Sequence, residues 1–123
     1  MEQRTVLVVD DEAYILHVVS LKLANAGYQV ITANDGEEGF ELATEHRPDM
    51  IITDFQMPYL TGLEMCQRLR AQDATANIPI VMLTARGYAL EEDDLESVNI
   101  VQCLSKPFSP RELVSCVERA MAA

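Results

Sequence analysis

The chain is short of cysteine, of basic side chains and of long apolar runs, and each shortage excludes something. Its three cysteines, Cys66, Cys103 and Cys116, are scattered through apolar contexts. An odd number with no CxxC or histidine spacing argues against a zinc centre and reads as reduced core thiols. Only 9 lysines and arginines face 20 aspartates and glutamates, for a formal net charge of -11. That excess argues against direct binding of nucleic acid or of an anionic membrane surface. No apolar run approaches the roughly 20 residues that cross a bilayer, and the first residues lack the basic-then-apolar layout of a signal peptide. A cytoplasmic protein is the expectation.

What remains is ample for one domain over residues 1–123: 49% of the residues are hydrophobic, enough to build a core without staples. Short apolar runs rich in Val and Ile stand at Val6 to Val9, Met50 to Thr53 and Ile78 to Leu83, too short for ordinary helices and typical of buried parallel strands. Tyr28 to Thr32 and Asn99 to Leu104 read as two more strands. Between them lie segments of helical period, with Leu16, Val19, Leu23 and Ala26 on one face, Met65 and Leu69 on another, and Leu113, Val117 and Met121 on a third. "SPRE" offers Ser109 as N-cap, Pro110 at the first helical position and Glu112 at the capping-box position, and Asp35 with Glu38 is a weaker copy. A helix is also predicted over Gly87 to Val98, with a thin apolar face and a broad acidic one. The pattern is β-α repeated five times, which predicts an α/β fold with a twisted, doubly wound parallel sheet.

In such a sheet ligands bind beyond the carboxyl ends of the strands. The strand ends here carry Asp10 and Asp11, then Asp54, then Thr84, and Lys106 follows the fifth strand. Three carboxylates in one pocket repel one another, and a divalent cation resolves the repulsion. Oxygen ligands without soft donors suit Mg²⁺, and Mn²⁺ as well. Thr84 could hydrogen-bond a phosphoryl oxygen, Lys106 would supply a positive charge, and one carboxylate would remain as a nucleophile that forms an acyl phosphate.

The set "VVDDE", "IITDFQMP", "MLTAR" and "LSKPFSP" resembles the receiver domain of two-component response regulators. The resemblance covers essentially the whole chain, and the intervals from Asp10 to Asp54, Thr84 and Lys106 are typical of that family. It implies a five-stranded flavodoxin-like (βα)5 fold with strand order 2-1-3-4-5. Asp54 would be the phosphoacceptor. Asp11, Asp54 and the backbone carbonyl of Gln56 would ligate the metal, with Asp10 acting through a bound water. Thr84 and Lys106 would contact the phosphoryl group, and the bond from Lys106 to Pro107 would be cis. The donor would be a phosphohistidine on a sensor histidine kinase or phosphotransfer protein. The receiver would catalyse the transfer to itself and its own dephosphorylation without being a turnover enzyme. Its readout would be a change on the face made by the fourth helix, fifth strand and fifth helix, sensed by a downstream effector or an output domain. The chain would be either a stand-alone receiver or the receiver part of a larger regulator.

Two departures qualify this reading, and two further positions bear on the lifetime of the acyl phosphate. Cys103 stands where the family usually has the aromatic residue that swings inward on activation, so the switch would run through backbone shifts or use another aromatic such as Tyr88. Thr61 stands where Asp or Asn often precedes the glycine, here Gly62. Gln56 and Arg86 border the expected path of hydrolytic water and would tune the lifetime of the acyl phosphate. His17 and His46 fall on helices away from the strand ends and read as surface or boundary residues. Two rivals remain at this level. One is a docking or dimerisation module that does not use phosphorylation. The other is a phosphatase with Asp54 as nucleophile, which is weakened because Gln56 stands where haloacid-dehalogenase-type enzymes want a second acid.

Overall fold

Alternation along three apolar strands divides the core in two. In the computed structural model, which describes residues 3–85, 91, 93 and 97–122, the strands are β1 (Thr5–Val9), β2 (Gln29–Ala33), β3 (Met50–Asp54), β4 (Ile80–Thr84) and β5 (Ile100–Ser105). Among the described residues the helices are α1 (Ala13–Asn25), α2 (Gly36–His46), α3 (Gly62–Arg70) and α4 (Pro110–Ala122). Successive strand side chains point to opposite faces. Val6, Val8, Met50, Ile52, Val81 and Leu83 therefore pack under α1 and α4, while Leu7, Val9, Ile51, Ile80 and Met82 pack under α2 and α3. Both faces of the sheet are covered, which is why Val6–Val9 of β1, Met50–Ile52 of β3 and Ile80–Leu83 of β4 are continuous apolar runs.

The strands form one parallel sheet in the order β2-β1-β3-β4-β5, the order that the resemblance implied. The central strands are almost wholly buried, and the edge strands β2 and β5 are half-exposed. β4 begins at Ile80 rather than Ile78, because Pro79 has no N–H to give a ladder and offers only its carbonyl, to Ile51. Val101 is an extra residue in β5, where the register slips between Ile80 and Val81.

The helix faces hold with one correction. Leu16, Val19 and Leu23 are buried, but Ala26 is the exposed C-cap of α1, with its N–H turned back onto the last carbonyls of the helix. Ser109 caps α4 as expected, its hydroxyl accepting the Glu112 N–H at 3.0 Å. Asp35 likewise accepts from the Glu38 N–H, while the Glu38 carboxylate reaches back to the Asn34 N–H instead of the cap's own. The cysteines are free thiols. Burial pushes Cys66 up to about 12, so it stays protonated; Cys116 is also buried, whereas Cys103 is only half-buried on the edge strand rather than in the core. His17 and His46 are exposed. Most of the helix predicted over Gly87 to Val98 lies outside the described residues, as do Arg86 and Tyr88.

Candidate functional site

Register alone brings the first acids together. Val9 pairs with Thr53 and Asp54 with Leu83, so Asp10 leaves β1 beside Asp54, and Thr84 ends β4 one residue further on. The Lys106 N–H then bonds the Thr84 carbonyl at 2.8 Å, which brings the chain leaving β5 to the same edge. The peptide bond from Lys106 to Pro107 is cis.

Carboxylate oxygens of Asp10, Asp11 and Asp54 lie within 4.8 Å of one another. Asp10 is fully buried, Asp54 is 6% exposed and Asp11 faces solvent. Hard oxygen donors at this spacing, with no thiol or imidazole among them, fit Mg²⁺ by both charge and ligand type. Burial first, and the neighbouring Asp10 carboxylate second, push Asp54 up to about 6 against the pull of Lys106. Burial also raises Asp10, despite the bonds that it accepts from the Glu12 N–H and the Lys106 ammonium. For Lys106, burial works downward, but its hydrogen bonds to Asp10 and Glu12 outweigh that and the net direction is up. The lysine is therefore a firm cation at neutral pH.

Lys106 Nζ stands 3.0 Å from Asp10 Oδ2, 3.0 Å from Glu12 Oε1 and 3.6 Å from Asp54 Oδ1. Thr84 is buried and its hydroxyl donates to the Leu104 carbonyl at a long 3.5 Å, a bond weak enough to give up. Gln56 is exposed on the loop after β3. The structure thus gathers Asp10, Asp11, Asp54 and Lys106, places Thr84 at the same edge facing β5, and leaves Gln56 at the rim.

Two residues near the site have roles that were not read from the sequence. Glu12 reads as an ordinary first-turn acid, yet it is the N-cap of α1, makes no side-chain cap bond, and spends its carboxylate on Lys106. Thr61, noted above only for the Asp or Asn that it replaces, forms a full capping box with Glu64 and starts α3 behind β3. The pattern "TGLE" was a readable signal for that cap. Beside the acids, an apolar groove of about 520 Å³ runs between α1 and the start of α4, lined by Tyr14, Ile15, Val18, Pro107 and Phe108 and ending at Glu12 and Lys106.

Fold and site together define a flavodoxin-like α/β protein with a lysine-countered carboxylate pocket at the carboxyl edge of its sheet. The comparison with known families makes that class specific: the response regulator receiver domain matches residues 6–118, and the chain belongs to that family. It is 40% identical over 119 residues to the phosphate regulon transcriptional regulatory protein PhoB of Pseudomonas aeruginosa, covering 94% of this chain and 50% of that protein. The chain spans about half the length of the curated relatives it matches. The chemotaxis response regulator CheY4 of Vibrio cholerae superposes with a TM-score of 0.88 at 37% identity, over 96% of this chain and 98% of that one. The receiver domain of the sensor histidine kinase PA1611 from Pseudomonas aeruginosa superposes with a TM-score of 0.87 at 27% identity, over 99% of this chain and all of that one. That structure has a magnesium ion coordinated in its active-site cleft. The chain is thus a receiver domain of two-component signal transduction.

Proposed function

We propose that residues 1–123 form one receiver unit that works in the cytoplasm as a phosphoacceptor switch, with Asp54 as the acceptor. The observation that carries the reading is the meeting of three carboxylates within 4.8 Å with the Lys106 ammonium, on a fold of this family. Asp54, with a pKa of about 6, is mostly ionised at neutral pH and is a competent nucleophile. One of its oxygens attacks the phosphorus of a phosphohistidine on a sensor kinase or phosphotransfer protein. The P–N bond breaks, its electron pair returns to the imidazole, and an acyl phosphate forms on Asp54. Lys106 contacts a phosphoryl oxygen, and the Thr84 hydroxyl turns from Leu104 to another. Held by Asp11, Asp54 and the Gln56 carbonyl, with Asp10 behind a bound water, Mg²⁺ (or Mn²⁺) would supply the charge neutralisation that three acids and a phosphoryl group require.

Catalysis here is positioning plus electrostatics. Hydrolysis of the acyl phosphate resets the switch, with Gln56 and Arg86 tuning its rate. The turn of Thr84 is passed to β5 and α4 through the backbone, because Cys103 offers no ring to swing. The readout is received by a downstream effector or by an output domain, in keeping with the longer transcriptional regulators among its relatives.

The test is incubation with acetyl phosphate and Mg²⁺ followed by intact mass measurement. A single phosphoryl adduct that disappears in Asp54→Asn is the expected result. No adduct on the wild type would favour a docking module, an adduct that survives Asp54→Asn would refute the acceptor assignment, and sustained turnover of small phosphate esters would favour an Asp-nucleophile phosphatase.

A further inference from the structure

We infer that Glu12 is a positioning residue that holds Lys106 away from the acceptor in the resting state and releases it on phosphorylation. The inference rests on the phosphoacceptor reading and assigns a role that Asp54, Thr84, Lys106 and the metal ligands do not include.

An ammonium has three N–H donors. Lys106 points two of them at Asp10 Oδ2 and Glu12 Oε1, both at 3.0 Å, while its ion pair with Asp54 Oδ1 is longer, at 3.6 Å. The cation is therefore held on the α1 side of the pocket. Contact with a phosphoryl group on Asp54 draws it toward β3, and one of the two present bonds must lengthen. The two are unequal. Asp10 is fully buried, and stripping its partner would leave an uncompensated charge away from water, which is strongly unfavourable. The Glu12 side chain is 60% exposed, so water replaces the ammonium at little cost. Glu12 is the partner that lets go.

Its placement supports this role. Glu12 caps α1 through its backbone alone, with no side-chain cap bond, and the chain leading into it is fixed by its own N–H on Asp10 Oδ1 at 2.9 Å. The carboxylate is thus delivered to the lysine by a rigid stretch without being needed by the helix. At the far side it borders the apolar groove of Tyr14, Val18 and Phe108, so a group entering that groove meets the Glu12–Lys106 pair first.

The transfer used to test it is balanced without further reactants: the P–O bond of acetyl phosphate breaks, acetate leaves with the electron pair, and the phosphorus bonds to an Asp54 oxygen. Glu12→Ala removes contact and charge, whereas Glu12→Asp keeps the charge but shortens the reach. Both should raise the phosphorylation rate by about two- to fivefold, the range set by a largely exposed ion pair. Hydrolysis of the acyl phosphate, which starts with Lys106 already released, should stay unchanged. Acceleration by Ala but not by Asp would mean that charge alone matters, and that outcome overturns the inference. So does an equal acceleration of hydrolysis, which would mean a generally loosened site, or no acceleration in either variant.

A second readout needs no phosphoryl donor. In ¹⁵N-correlated spectra of lysine ammonium groups, the Lys106 signal should move and exchange faster with water in both variants. An unchanged signal overturns the resting contact. Absence of any adduct on the wild type would instead sink the acceptor reading and the release step with it, while the lysine signal still judges the contact.

Discussion

Asp54 carries a cost that the proposed phosphoacceptor chemistry requires. An acid whose folded pKa is raised binds extra protons in the native state between its ordinary value and the raised one. Stability therefore falls as pH rises through that window. For Asp54 the window runs from 3.8 to about 6, so at pH 7 the full penalty of a buried carboxylate beside Asp10 is present. In metal-free buffer, Asp54→Asn should be more stable than wild type at pH 7 by up to about 3 kcal/mol, with the gap closing toward pH 4. Urea unfolding at both pH values measures it. A gap that widens on acidification would mean that Asp54 is held ionised by Lys106 and is not strained by burial.

The helices and strands show how far the sequence could be read. The apolar runs located the three central strands to within about two residues because both faces of the sheet are covered there, which leaves no polar alternation to blur them. The acids at the strand ends were legible because parallel topology sends successive carboxyl ends to one edge. Glu12 was not, since its bond to Lys106 joins residues 94 apart and depends on where α1 starts relative to the cis turn at Pro107. Ala26 was misread because periodicity does not report where a helix stops.

Close approach of elements was equally invisible in the sequence, and it matters at Gly62, the first residue of α3. A Cβ there would collide with the Asp54 carbonyl oxygen, and the Gly62 N–H bonds the Phe55 carbonyl at 2.9 Å. Gly62→Ala should push the end of β3 out of place, cutting acetyl phosphate labelling more than tenfold and costing about 2 kcal/mol of stability. Gly27 is the control: its φ of +101° strains any L side chain, but nothing lies within 4 Å of a Cβ there and it closes α1 at the opposite end of the sheet. Gly27→Ala should cost about 1 kcal/mol and leave labelling intact. Equal labelling in the two variants would detach α3 from the geometry of the acceptor.

At the scale of the whole molecule, a net charge of -11 means that any divalent cation relieves some self-repulsion, so stabilisation by Mg²⁺ is not by itself evidence of a site. A bound ion differs from a screening one in two ways. Its contribution sets in near its dissociation constant and then grows with the logarithm of free Mg²⁺, reaching about 1.4 kcal/mol at ten times that constant, which is roughly 4–6 °C in midpoint for a domain of this size. It also depends on particular acids rather than on the total. Asp11→Asn and Glu41→Gln remove the same charge, the first from the carboxylate cluster and the second from the exposed face of α2. Thermal unfolding against Mg²⁺, at ionic strength held constant with NaCl, should give a midpoint that rises with the logarithm of Mg²⁺ in the wild type and in Glu41→Gln and almost no rise in Asp11→Asn. A rise of equal size in all three proteins would assign the effect to the acidic surface as a whole and leave the pocket formed by Asp10, Asp11 and Asp54 without a metal role.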